Sequence, residues 1–387
     1  VRILVALTYY RPYTSGLTLY AERVARALLA MGHQVTIVTS RHDPALPAEE
    51  VMDGVRVFRA NVAFRISKGP VMPGMLFLCW KLMQSANLIH LHLPQLDAAG
   101  LAIMGRLLGK RVVSTYHCDL QLPTGIINRM ANWGVTLANH IAASLSDRIA
   151  TNTLDYAEHS SLLRRYLGKV TQIYPPAVIQ PPTQADFAAV IKKADIQPDE
   201  IIIGMAARLA SEKGVEYMIE ALPIIQQTYP QARVLFVGAY QNVPGEEMYA
   251  QKLAPMIAKL GASWRFLGLL EDREFAAFLS SCAVTVLPSL NSTESFGMVQ
   301  IESMLCGVPV VTTDLPGVRQ PVRLTGMGRI IPKASAQALA DAVLDVLEQK
   351  KNLQPGQPAP VSQDQLNRLF SPHQVALQYD ALFQETL

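Results

Sequence analysis

The chain has only four cysteines in 387 residues, Cys79, Cys118, Cys282 and Cys306. None is spaced for a zinc site or a disulfide framework, so neither is expected. No apolar run reaches about 18 uninterrupted residues, which argues against a transmembrane helix. The N-terminal "RILVAL" lacks the basic, apolar and small-residue order of a signal peptide. Four scattered thiols without such a leader suit a reducing cytoplasm. There is no repeat of solenoid period, no low-complexity tract, and little net charge at +3. No nucleic-acid partner is expected.

What is present is a folded α/β protein. Half the residues are apolar and 17% are charged, the composition of an ordinary globular chain. Its length exceeds what one core supports, so two domains are expected. Their charges differ: residues 1–190 carry 18 Lys+Arg against 11 Asp+Glu, and residues 191–387 carry 16 against 20. The halves are therefore +7 and −4. A basic half can be drawn to an anionic surface.

Short apolar runs alternate with amphipathic ones in both halves. "RILVAL" (2–7), "QVTIVTS" (34–40), "LIHLHLP" (88–94) and "RVVSTYH" (111–117) read as strands, with a helix over 17–32 that stops at Gly32. The series restarts with strands at 201–207, 233–238, 264–268, 284–288 and 308–314. Helices are expected near 214–227, 271–281, 298–306 and 335–349. Strand and helix in alternation imply parallel sheets covered by helices. "IYPPAVIQPPTQ" (173–184) carries four prolines and reads as a stiff connector. A second soft stretch, 350–363, precedes an amphipathic segment that starts after Ser371-Pro372. The expected division is 1–178, 179–368, and a terminal helix over 369–387.

Ligands of open parallel sheets bind outside the carboxyl ends of the strands, so each strand-end turn matters. The first carries Gly16 just before a helix, either as plain turn geometry or as a place where a ligand meets bare backbone. It is not the G-x-G-x-x-G fingerprint of a dinucleotide site. His90 and His92 share one face of a strand. With no third ligand nearby, a supporting role is expected over a metal site. His117, followed by Asp119, ends the next strand and can hydrogen-bond a ligand or move a proton. Arg208 and Lys213 stand five residues apart after the first strand of the second half, a good spacing for a diphosphate clamp or for two solvated charges.

"NSTESFGMVQIESMLCGVPVV" (291–311) raises a sharper question, because Glu302 stands in an apolar run. A carboxylate near a core is costly unless it is paired or hydrogen-bonded. Gly297 opens a helix there, and the N–H groups of residues 296–299 can face an anion. Glu294 and Glu302 are unsuited to act as a glycosidase pair. Eight helical residues span about 12 Å, beyond the roughly 5–9.5 Å such pairs need. Separate sets of hydroxyls are the expected partners.

Taken in order, the single-Gly loop, "TYH", "RLASEKG" and the two glutamates of "ESFGMVQIE" closely resemble the retaining glycosyltransferases of family four. The resemblance covers nearly the whole chain. It implies the GT-B architecture: two facing Rossmann-like doubly wound domains, an interdomain cleft that closes on the donor, and a C-terminal helix crossing back to the first domain. It implies a nucleotide-sugar donor on the second domain. Arg208 and Lys213 would grip the diphosphate, Glu302 the ribose, and Glu294 the sugar, with Ser295, Phe296, Gly297, Met298 and Val299 around sugar and phosphate. Gly16 would approach the diphosphate and His117 would hydrogen-bond the sugar. Neither a metal nor another cofactor is implied.

Three departures stand out. The first loop has one glycine where two are common, the junction reads "YPPAV", and "LPGVRQPV" carries Gln320 where an acid is usual. The acceptor, a glycan or glycolipid hydroxyl, falls to the first domain. There the stretches 68–87 and 123–144 concentrate Phe77, Trp80 and Trp133 near Lys68 and Lys81, and these helices either pack on the sheet or dock on an anionic membrane. The rival readings are a silent sugar-nucleotide-binding subunit, an epimerase, or a phosphorylase, the last requiring a cofactor lysine and a far longer chain.

Overall fold

The computed structural model describes residues 1–66, 69–121, 125–352 and 361–387. It divides into two compact units: Val1–Pro176 together with Leu369–Leu387, and Ala177–Arg368.

The first unit contains strands β1 (Arg2–Ala6), β2 (Gln34–Arg41), β3 (Glu49–Met52), β4 (Val55–Asn61), β5 (Phe64–Ile66), β6 (Gly69–Val71), β7 (Leu88–Leu93), β8 (Arg111–Tyr116), β9 (Arg148–Thr151) and β10 (Val170–Gln172). Among the described residues, one sheet has the order β10-β9-β8-β7-β1-β2-β4-β3, parallel except where β3 meets β4, and β5 pairs with β6. Helices α1 (Gly16–Ala30), α2 (Gly74–Ser85), α3 (Ala98–Leu107), α4 (Ile126–Leu145) and α5 (Leu154–His159) lie between strands. All six residues of β7 are buried, which is why its sequence is an apolar run and not an alternation. Helix α1 opens with a capping box in which Ser15 Oγ accepts from the Thr18 amide, and Gly32 ends it at φ +89°. Gly16 is therefore the first residue inside the helix, one position later in the cap than expected, because Ser15 supplies the cap.

The second unit contains α6 (Gln184–Ala194), β11 (Ile201–Ala206), α7 (Val215–Gln226), β12 (Ala232–Val237), α8 (Glu247–Leu260), β13 (Trp264–Gly268), α9 (Asp272–Ser281), β14 (Val284–Leu287), α10 (Met298–Leu305), β15 (Val310–Thr313), α11 (Gln320–Thr325), β16 (Gly328–Ile331), α12 (Ala336–Asn352) and α13 (Gln363–Phe370). Its sheet runs β13-β12-β11-β14-β15-β16, with every pair parallel. Strands β11 to β13 advance in one direction and β14 to β16 in the other. The chain thus reverses between β11 and β14, the point where such sheets open a crevice for a ligand. In the first unit the same reversal falls between β1 and β7.

The last helix, α14 (Pro372–Thr386), returns to the first unit and packs on α1. Ser371 caps it and Pro372 fills its first turn. Tyr379, Leu382 and Phe383 are buried there. Lys68, residues 123–124 and most of the soft stretch 350–363 lie outside the described residues.

Phe383→Ala should cost about 3–5 kcal/mol, the usual loss for a buried aromatic. It should speed hydrogen exchange in α1 and α14; unchanged protection would mean the last helix carries no core.

Candidate functional site

In the second unit the turn after β11 and the segment after β14 meet at the reversal point. Gly214 makes this approach: at φ +63°, a Cβ there would stand 2.2 Å from the Pro288 carbonyl oxygen. The Leu290 amide donates to the Glu212 carbonyl at 2.9 Å. Two further braces hold the turn. The Ser211 amide donates to the Glu246 carboxylate at 2.9 Å, and the Val215 amide donates to the Tyr249 hydroxyl at 3.1 Å.

That framework brings Lys213 onto Glu294, with Nζ donating to Oε2 at 2.5 Å. Both side chains are mostly buried, at 16% and 17% exposure. Arg208 is more open, and its guanidinium donates to Glu212 at 3.0 Å. An exposed pair of this kind contributes about 0–1 kcal/mol, so Arg208 is cheap to redirect. The Lys213 pair is shielded from solvent and holds its geometry more firmly.

Gly297 caps α10 at φ +76°, and a Cβ there would stand 2.3 Å from Leu287 Cδ2. Gln300 fixes the same turn, donating from Nε2 to the Phe296 carbonyl at 2.7 Å and to the Val318 carbonyl at 2.8 Å. The Gln300 amide is bonded to the Gly297 carbonyl. Met298 and Val299 therefore occupy the first turn, where amides have no partner inside the helix. Ser295 and Phe296 are buried beside them. Glu302, 7% exposed, sits one turn deeper between the buried Ile301 and Met304, so it is not a surface-helix glutamate.

In the first unit, His117 follows β8 and its ring meets His92, with Nδ1 of His92 and Nε2 of His117 at 2.8 Å. His92 is thus held against His117 and not free to point elsewhere. His90 binds Thr115 Oγ1 at 2.7 Å. Asp119 turns away to accept from Tyr116, Ser160 and the Ser161 amide, a structural anchor for the turn. Gly16 is exposed and its φ is not positive, so no turn requirement explains a glycine there. Among the described residues, no three His, Cys, Asp or Glu side chains gather into a metal-binding group.

Sequence reasoning missed Glu212 as the partner of Arg208, the braces Glu246 and Tyr249, and the hydroxyls of Tyr20 and Tyr379 behind the histidines. Glu212 stands only four residues after Arg208, a local spacing that could have been noticed. The others act on residues brought near by the fold, and no local pattern marks them.

Two family models match the chain: "Glycosyl transferases group 1" over residues 186–357 and "Glycosyl transferase 4-like domain" over residues 15–175. A phosphatidyl-myo-inositol mannosyltransferase of Mycobacterium tuberculosis is 26% identical over 363 residues, covering 90% of this chain and 88% of that protein. Two solved structures share the fold. One is HepE of Anabaena in complex with UDP-glucose, at TM-score 0.75 and 18% identity over 99% of each chain. The other is a sucrose-phosphate synthase of Thermosynechococcus elongatus, at TM-score 0.74 and 21% identity over 99% of this chain and 98% of that one. These neighbours establish the GT-B fold that the motifs implied.

Burial pushes His90 and His117 down to about 3, and His92 well below the ordinary histidine value. Unfolded, each titrates near about 6.5. Between these limits the unfolded chain binds more protons, so stability falls as pH falls. At pH 5 His90 and His117 should each cost on the order of 2 kcal/mol, and His92 adds a loss of the same sign. Thermal melts from pH 7.5 to 5.0 should show this loss, reduced in His90→Gln. A flat melting temperature contradicts it.

Proposed function

The chain belongs to the group 1 glycosyl transferases, and on that premise we propose that it moves a hexosyl group from a nucleoside diphosphate sugar to a hydroxyl of a glycolipid or cell-envelope glycan, with retention of anomeric configuration. The observation that carries this reading is the Lys213–Glu294 contact at 2.5 Å, beside the helix that buries Glu302.

The family resemblance supplies the roles: Arg208, Lys213 and the first-turn amides of α10 take the phosphates, Glu302 the ribose and Glu294 the transferred sugar. Charge is compatible with this, since carboxylates near a diphosphate are best placed against hydroxyls. The same resemblance gives Gly16 of the first unit a place by the diphosphate and gives His117, held neutral by burial, a hydrogen bond to the sugar.

Cleavage of the sugar–phosphate bond puts positive charge on the ring and negative charge on the departing diphosphate. The clamp stabilises that leaving group, a contribution often worth several kcal/mol. The acceptor hydroxyl attacks the face that the diphosphate leaves, and its proton passes to the departing phosphate oxygen. The positive charge a metal would bring is supplied by the two cations and the helix terminus, so turnover should survive a chelator.

The acceptor side supports a membrane-borne substrate. Ile126, Met130, Trp133 and Leu137 recur along α4 at helical spacing and are all exposed, as are Phe77 and Trp80 of α2. Lys81 lies over the Phe77 ring. With the basic first half, this face suits an anionic bilayer. The four cysteines are not joined in disulfides, which suits its cytoplasmic side.

Arg208→Ala and Lys213→Ala should each lower turnover at least about 100-fold with the fold intact. Near-normal rates in steady-state assays would remove the clamp. Trp133→Glu should lower co-sedimentation with anionic vesicles about 10-fold at low salt, and wild-type binding would remove the membrane face.

A further inference from the structure

A buried polar assembly in the first unit runs from the last helix to His117, and the reaction described so far leaves most of it without a role. Tyr379 of α14 is fully buried. Its hydroxyl meets those of Tyr20 at 2.6 Å and Thr115 at 2.7 Å. Thr115 Oγ1 meets His90 Nε2 at 2.7 Å. The His90 ring lies 4.5 Å from His92, which is hydrogen-bonded to His117. On the other side, the Tyr20 ring stands edge-on to His117 at 4.9 Å and 89°. The Tyr379 hydroxyl therefore reaches two of the groups that touch His117: Tyr20 by a direct hydrogen bond, and His92 by way of Thr115 and the His90 ring.

Stability alone does not explain this arrangement. Hydroxyls and imidazoles cost free energy to bury, and Nδ1 of His90 is buried without a hydrogen-bond partner. Apolar side chains of similar volume would fill the space without that cost. A hydrogen-bonded polar chain instead fixes one orientation of its members. The partnerless Nδ1 is least costly as a bare acceptor. That puts the His90 proton on Nε2, so Thr115 donates to Tyr379 and Tyr379 donates to Tyr20. The helix itself is held in register, with His33 Nε2 3.3 Å from Asp380 and Phe383 edge-on to His90.

We propose that Tyr379 is a positioning residue for transfer: through Tyr20 on one side and Thr115, His90 and His92 on the other, its hydroxyl sets the orientation of His117. The last helix of the chain is then a working part of the site in the first unit as well as a cover for α1. This inference rests on the reading of His117 as a hydrogen-bond partner of the transferred sugar.

The test is a double-mutant cycle on the full-length chain with Tyr379→Phe and His117→Ala, read by steady-state kinetics and by ¹⁵N spectra of the histidine rings. Tyr379→Phe keeps the ring and removes only the hydroxyl. It should lower kcat about 10-fold, as loss of a supporting hydrogen bond typically does, with KM for the nucleotide sugar within about 2-fold. It should move the His117 ring resonances and cost nothing further in the His117→Ala background. Thr115→Val breaks the same chain without changing side-chain volume and should repeat the pattern, which guards against a fold defect peculiar to position 379. Additive losses in the double variant, or unmoved His117 resonances, overturn the inference and leave the reading of His117 standing. Full activity of His117→Ala overturns both.

Discussion

The second unit depends on one close approach. The turn after β11 lies against the end of β14, and position 214 admits it only because a glycine has no Cβ to strike the Pro288 carbonyl. The two strands belong to opposite arms of the sheet, so their carboxyl ends border the crevice where the chain reverses. Packing at Gly214 closes the distance between residues 81 positions apart and delivers Lys213 to Glu294. The Glu246 and Tyr249 braces hold the turn there.

The two cations of this turn differ in what they give up to a ligand. Arg208 trades an exposed contact worth little. Lys213 trades a shielded one, and its departure would leave Glu294 in a mostly buried place without its cation. The exchange is favourable only if Glu294 gains new donors when Lys213 turns to phosphate, and sugar hydroxyls are such donors. On the proposed reading, binding of the diphosphate and binding of the sugar are thereby linked through the Lys213–Glu294 ion pair.

Much of this was legible in the sequence, for physical reasons. β7 and β11 announce themselves because burial on both faces demands apolar runs. The residues proposed for the donor stand out because a strand end, a glycine and a cation fall within a few positions of one another. Glu302 is legible as an anomaly, a carboxylate in an apolar helix. The rest depends on contacts between distant segments. Nothing in "SPHQVALQYDALFQ" separates Tyr379 from any other core residue, since its partner Thr115 lies 264 positions away. The pairing of Arg208 with Glu212 is different: the two stand four positions apart, so the spacing was there to be read, though a turn's composition does not fix which charges face each other. Gly16 was placed before its helix because the capping power of Ser15 was overlooked.

The central claim is that the diphosphate, gripped by Arg208, Lys213 and the start of α10, anchors the donor. Calorimetric titration of the full-length chain with a nucleoside diphosphate and with the matching nucleoside tests it most directly. The account predicts that the diphosphate binds at least about 100-fold more tightly, a difference of roughly 2.7 kcal/mol, and that Lys213→Ala erases most of that preference. Equal affinity for nucleoside and diphosphate would contradict it.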